Sequence, residues 1–181
     1  MKIDLVAEFQ LSQSEQYQIA GLLKNCFPEE DFQGRTYFKQ RPHYRLLLKE
    51  EEKIIGQLAL DYRVMTLGQI AIRVLGVIDI AILNDYQGLG WARRLLLELD
   101  QLVEKNKMNI DFILLCTQTP KFYEKFGYHQ VKFSQNIKWL AIDQHINYGI
   151  KIEQSGQGLM YKKIGEIDWN DDVLDMLGYW Y

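Results

Sequence analysis

Residues 70–100, IAIRVLGVIDIAIL followed by NDYQGLGWARRLLLELD, constrain the fold more than any other part of the chain. The first run is long and β-branched and reads as a strand. After a polar turn with two glycines, Ala92, Leu95, Leu96, Leu99, Leu102 and Val103 recur on one face of a helix. The short apolar run DFILLC follows and reads as a buried strand that includes Cys116. A strand, a helix and a strand of these lengths imply a parallel crossover.

The flanking segments supply the rest of a mixed sheet. Serines precede Ile19, Leu22, Leu23 and Cys26 at helical spacing, which predicts a first helix over residues 14–26. The acidic, aromatic segment PEEDFQGRTYFKQRPH carries a short helix in this reading. YRLLLKE and KIIGQLALDYRVM, with a charged turn at Glu51 and Glu52, join the β-branched run in an antiparallel meander. TPKFYEKFG is expected to be a brief helix ending at Gly127, YHQVKF a strand, and the region near Leu159–Ile164 a last strand. The fold class is therefore α/β, with an antiparallel N-terminal meander and a parallel β-α-β step. No repeat or linker divides residues 1–181, so a single domain is expected.

Composition narrows the function. Hydrophobic residues make up 48% of the 181 residues and there are only three prolines, which excludes a disordered chain. The formal charge of −3 argues against a general nucleic-acid binder and suits a cationic substrate. Cys26 and Cys116 belong to no CxxC pair or cysteine–histidine cluster, so neither a disulfide framework nor a metal site is expected. No window approaches a membrane span and MKIDLVAEFQ lacks a signal-peptide core, so a cytoplasmic protein off the membrane is expected.

Which ligand would the glycine turn hold? A P-loop needs Gly-Lys-Ser/Thr, but Trp91 and Ala92 follow Gly90. A dinucleotide fingerprint needs a third glycine where Arg93 stands, and Asp111, about 20 residues on, opens its strand instead of ending it. Gln87-Gly88-Leu89-Gly90-Trp91-Ala92 matches the pattern [QR]-x-x-G-x-[GA]. With KFYEKFGYHQV some 30 residues later, it resembles the GCN5-related N-acetyltransferases (GNATs) over residues 14–138. The physical reason is the same for any such loop: unpaired helix N-terminal amides attract an anion, and glycines let the backbone approach it.

The resemblance implies acetyl-CoA as acyl donor, with Gln87, Gly88, Leu89, Gly90, Trp91 and Ala92 at its pyrophosphate. It also implies that Ile80, Ala81 and Ile82 contact the donor, with an oxyanion-binding N–H at Ile80 or Ala81. Tyr123 falls where the family places its general acid; a phenol has the proton that a departing thiolate needs. Asp79 stands alone in an apolar strand and is the candidate base; alternatively it shares a solvent face with Val77 and Ala81 while Ile78, Ile80 and Ile82 face the core.

The end of the chain, with its Asp-Trp pair, acidic turn and terminal aromatics, is similar to the tails of aminoglycoside 2′-N-acetyltransferases and nodulation N-acyltransferases. By that similarity Asp168, Asp172, Asp175 and the carboxylate of Tyr181 become candidate contacts for a small cationic amine, with an amino sugar or aminoglycoside-like molecule one class and an unspecified amine the other. Glu29–Asp31 would form another wall, and a homodimer is a further expectation. Two other readings stay open: a non-catalytic acyl-CoA-binding module, and an N-acyltransferase with a longer acyl donor.

Overall fold

A computed structural model describes residues 1–105 and 109–181. They form two compact units, one of residues 1–61 and 78–105, the other of residues 62–77 and 109–181. Two long strands, β3 (Lys53–Leu67) and β4 (Ile70–Ile82), contribute residues to both.

In the first unit, β1 (Lys2–Ala7) pairs antiparallel with β2 (Tyr44–Glu50), and β2 antiparallel with the start of β3. Helix α1 (Gln13–Cys26) opens on a capping box: the Ser12 hydroxyl accepts from the Glu15 amide at 3.2 Å, and Glu15 accepts from the Ser12 amide at 2.9 Å. Its Ile19, Leu22 and Leu23 bury against Leu47, Ile54, Phe32 and Ala81. Helix α2 (Trp91–Lys105) buries Leu95, Leu96, Leu99 and Val103, the face its periodicity predicts.

No helix forms between α1 and β2. Phe32 is buried and packs against Phe27 and Phe38, while an Asp31 carboxylate that accepts from the Gln33 amide turns the chain. Gln33 and Gly34 both have positive φ, which a helix cannot accommodate.

In the second unit the strand order is β6-β9-β5-β4-β3-β10-β7-β8. The members are β5 (Phe112–Cys116), β6 (His129–Gln130), β7 (Asn136–Asp143), β8 (Ile146–Gln154), β9 (Leu159–Lys163) and β10 (Leu174–Asp175), with the short helix α3 (Pro120–Glu124) between β5 and β6. β4 and β5 are parallel, as the crossover requires, and their register ends at Val77 opposite Leu115. β5 with β9 and β7 with β8 are antiparallel. The sheet is mixed, and its core gathers Phe112, Leu114, Ile72, Val74, Ile137, Leu159 and Leu174.

YHQVKF contributes only the two residues of β6, and Cys116, at the end of β5, is exposed. Asp111 is buried before β5, where it accepts from Nε and the amide of Arg73, each at 2.8 Å. It anchors a strand end, consistent with rejecting the dinucleotide reading.

Candidate active site

The first unit holds the glycine loop. Gly88 and Gly90 lie at φ +74° and +85°, and a Cβ built on either would meet nothing within 4 Å. The backbone there is thus left-handed and open on the side a ligand would approach. The Arg94 amide bonds back to the Gly90 oxygen at 3.0 Å, whereas no acceptor among the described residues takes the amides of Trp91, Ala92 and Arg93. Three such donors at the positive end of a 15-residue helix fit a pyrophosphate. Gln87 shapes the loop from within: its side-chain nitrogen donates to the Ile82 oxygen at 2.9 Å and to Asn84 Oδ1 at 3.1 Å. Both its amide hydrogens are thereby engaged.

Just before that loop β4 departs from regular alternation. Asp79 has φ +49°, and Ile78, Asp79 and Ile80 are all partly exposed in succession, followed by buried Ala81 and Ile82. The simple two-face reading of this strand therefore fails, because a left-handed residue rotates the chain at Asp79. Aspartate tolerates that conformation better than most residues. No donor among the described residues reaches its carboxylate. Burial, opposed by the Arg45 charge and reinforced by Glu30, pushes Asp79 up to about 6.

A buried polar chain supports this bend, and sequence reasoning missed it. Arg45, wholly buried, pairs with Glu8 at 2.6 Å, donates to the Thr36 oxygen at 2.6 Å, and donates to the Gln57 side-chain oxygen. Gln57, also wholly buried, donates its side-chain amide to the Asp79 main-chain oxygen at 2.9 Å. The signal was available: Arg45 and Gln57 interrupt apolar strands just as Asp79 does, and buried polar groups exist only with partners.

The second unit holds Tyr123, in α3. Its ring meets Phe122 and Tyr128 edge-on at centroid distances of 5.0 and 5.9 Å. Burial pushes its phenol above the ordinary value, and a hydrogen bond with Thr117 opposes that shift. The group is a protonated acid throughout the neutral range.

The tail acids hold partners of their own. Asp168 pairs with Lys163, and Asp175 pairs with Lys138 at 2.8 Å and accepts from the Leu177 amide at 3.0 Å. Asp172 sits against Gly68, and its carbonyl accepts from Gln135 at 2.6 Å. The tail folds back on its own unit: Tyr181 packs on Gly76, and Trp180 Nε1 donates to the Cys116 sulfur at 3.0 Å. Among the described residues no group of three His, Cys, Asp or Glu could hold a metal ion, and no helix is long and apolar enough to cross a membrane.

The sequence matches the model of the acetyltransferase (GNAT) domain over residues 10–131, two thirds of its length. The chain belongs to the GNAT family. GNAT domains use acetyl-CoA as acyl donor, and the open glycine loop of this chain fits that group. No curated protein matches it in sequence.

Solved structures match in fold. Escherichia coli ElaA is 11% identical with a TM-score of 0.62, covering 90% of this chain and 99% of that one. The E. coli GNAT N-acetyltransferase YhbS, crystallised with CoA, is 15% identical with a TM-score of 0.58, covering 96% and 88%. A GCN5-related N-acetyltransferase from Anabaena variabilis is 17% identical with a TM-score of 0.55, but this chain, 78% covered, spans only 39% of its length. Two other larger structures, one of them Eis1 of Mycobacterium abscessus, are spanned to 33%.

Proposed function

We propose that this GNAT domain transfers an acetyl group from acetyl-CoA to a primary amine of a small cationic molecule, and that residues 1–181 act as one domain. The family match, which crosses residues of both compact units, supports the second point. The observation that carries the first is Asp79: a carboxylate that no donor among the described residues reaches, on a left-handed bend, with a pKa near 6. Such a group is ionised at neutral pH yet basic enough to take a proton from an ammonium, directly or through water.

The remaining roles follow from chemistry. Acetyl-CoA supplies an activated acyl thioester. The amides of Trp91, Ala92 and Arg93, with Gly88, Leu89 and Gly90 clearing the approach, hold its pyrophosphate; Gln87 fixes their loop. The backbone of Ile80, Ala81 and Ile82, next to the bend, contacts the donor, and an N–H at Ile80 or Ala81 stabilises charge developing on the acyl oxygen. The Tyr123 hydroxyl delivers its proton to the departing sulfur.

Negative charge favours a cationic acceptor. That rests on the formal net charge of −3; at Asp79 itself the Arg45 charge acts more strongly than that of Glu30. An amino sugar is proposed on the resemblance of the tail alone. Asp168, Asp172, Asp175 and Tyr181 are its contacts by the same resemblance, and at Asp168 and Asp175 a cation would have to displace Lys163 or Lys138.

The test is a free-thiol release assay with acetyl-CoA across amino sugars, polyamines and amino acids, repeated with longer acyl-CoA donors and with Asp79→Asn. Turnover of an amine, abolished in the variant, supports the reading. CoA binding without turnover of any amine would instead leave a non-catalytic acyl-CoA-binding module, and preference for a long chain would make the enzyme an acyltransferase of broader donor class.

A further inference from the structure

Strand β8 is exposed along all nine of its residues and pairs on one side only, with β7. Among the described residues its other edge carries no strand. Ile150 and Ile152 are 68% and 63% exposed. Their register puts them opposite Leu140 and Lys138 of β7.

The neighbouring β10 tells which face this is. Leu174, wholly buried, lies opposite the core residue Ile137, whereas Asp175 lies opposite Lys138 and pairs with it. Ile150 and Ile152 therefore share the Lys138 face, away from the core of their own unit. Lys151 and Glu153 take the core-side face. This pattern is inverted for a strand that merely finishes a sheet, which turns apolar residues inward and charges to water. An unpaired edge of this kind is a template for another strand.

We propose that the free edge of β8 binds the same edge of a second copy, antiparallel, with a two-fold axis at Ile152. Charge selects this register. Near Asn147–Gly149 the strand is irregular: the register shifts between Leu140 and Ile142, Gly149 has φ +84°, and its amide is taken by the Asn147 side chain at 2.7 Å. That leaves Ile150–Gln154 as the regular stretch. An axis at Lys151 would oppose lysine to lysine, and one at Glu153 would oppose glutamate to glutamate. An axis at Ile152 sets Lys151 of each copy opposite Glu153 of the other and brings the two Ile152 side chains together. The same symmetry keeps the isoleucines of both copies on one face, where they meet across the joint with Leu140 alongside. This surface is independent of the catalytic reading.

Sedimentation velocity on the full chain tests it, with Lys151→Glu, Glu153→Lys and the double exchange. Lys151 also lies over the Trp139 ring at 5.8 Å, so Glu153→Lys, which keeps that contact, is the cleaner arm. The wild-type chain dimerises, and each single variant, which opposes like charges twice, weakens the dimer about tenfold or more. The double exchange restores it to within about threefold, because the reversed pairs are again complementary. A chain that stays monomeric at roughly 100 μM, where even weak specific association would register, overturns the proposal. So does a dimer indifferent to the single exchanges, or a double variant no tighter than the singles. Melting temperatures of all three variants close to the wild type show that the exchanges act on association and not on the fold.

Discussion

Gln57 donates its side-chain amide to the main-chain oxygen of Asp79 across 2.9 Å, and its own side-chain oxygen accepts from the buried Arg45. One side chain thus ties a strained residue of β4 to an ion pair with Glu8. Gln57→Leu keeps the volume but leaves an arginine donor and a carbonyl without their partner. The expected cost is about 2 kcal/mol, or a melting temperature lower by about 4–8 °C. Turnover falls further than stability alone explains, because the Asp79 backbone is no longer held, while CoA affinity measured by calorimetry is retained. Loss of CoA affinity in step with turnover would show that Gln57 supports the unit and not the bend.

Asp79→Asn separates the chemistry from the fold. In the folded protein Asp79 titrates near 6, above the unfolded value of about 3.9. Between those values the folded state holds the extra proton, so the wild type loses stability as pH rises through that window. Asparagine is always neutral and accepts the same positive φ. The variant is therefore expected to melt at the same temperature as the wild type below pH ~4 and above it at pH 8, with the difference opening between about 4 and 6. Over the same range wild-type kcat/KM rises toward a plateau, and the variant has lost that limb. A melting difference that does not change with pH would remove the buried-carboxylate account.

For Tyr123 the ring and the hydroxyl have separable roles. Phe122 and Tyr128 meet the ring, so Tyr123→Phe keeps the packing and removes only the acid. Turnover drops by roughly 100-fold, the low end for a general acid, with CoA binding unchanged. A variant with unaltered kcat would return Tyr123 to the core of α3.

The sequence showed the periodic elements and the glycine loop and hid the bend at Asp79 with its buried support. β2 was read to the residue and α2 by its face, because apolar periodicity and a charged turn mark them. β1, β7 and β8 were not, since KIDLVA mixes charge into its alternation and the β7–β8 turn uses Gln144 and His145 at positive φ instead of glycine or asparagine. The glycine loop was legible because only glycine fits its geometry so readily. The bend at Asp79 was not, because a strand with one aspartate reads as simple alternation. Arg45 and Gln57 drew no notice in the sequence, since only the fold places both inside.

Gly90 and Gly21 make a controlled comparison, since at neither would a Cβ meet anything within 4 Å. Gly21 lies inside α1, so Gly21→Ala is expected to add up to about 1 kcal/mol through helix propensity alone. Gly90 stands at φ +85°, where an L-residue is strained by roughly 1–2 kcal/mol. Gly90→Ala either carries that strain or moves the loop, and in both cases the amides of Trp91 to Arg93 lose their aim. CoA at about 100 times its dissociation constant should raise the melting temperature of the wild type and of Gly21→Ala by roughly 5–11 °C. With Gly90→Ala at the same CoA concentration the shift should shrink to a few degrees at most, while NAD and ATP shift none of the three. An undiminished CoA shift in Gly90→Ala would mean that the cofactor is held elsewhere than at the start of α2.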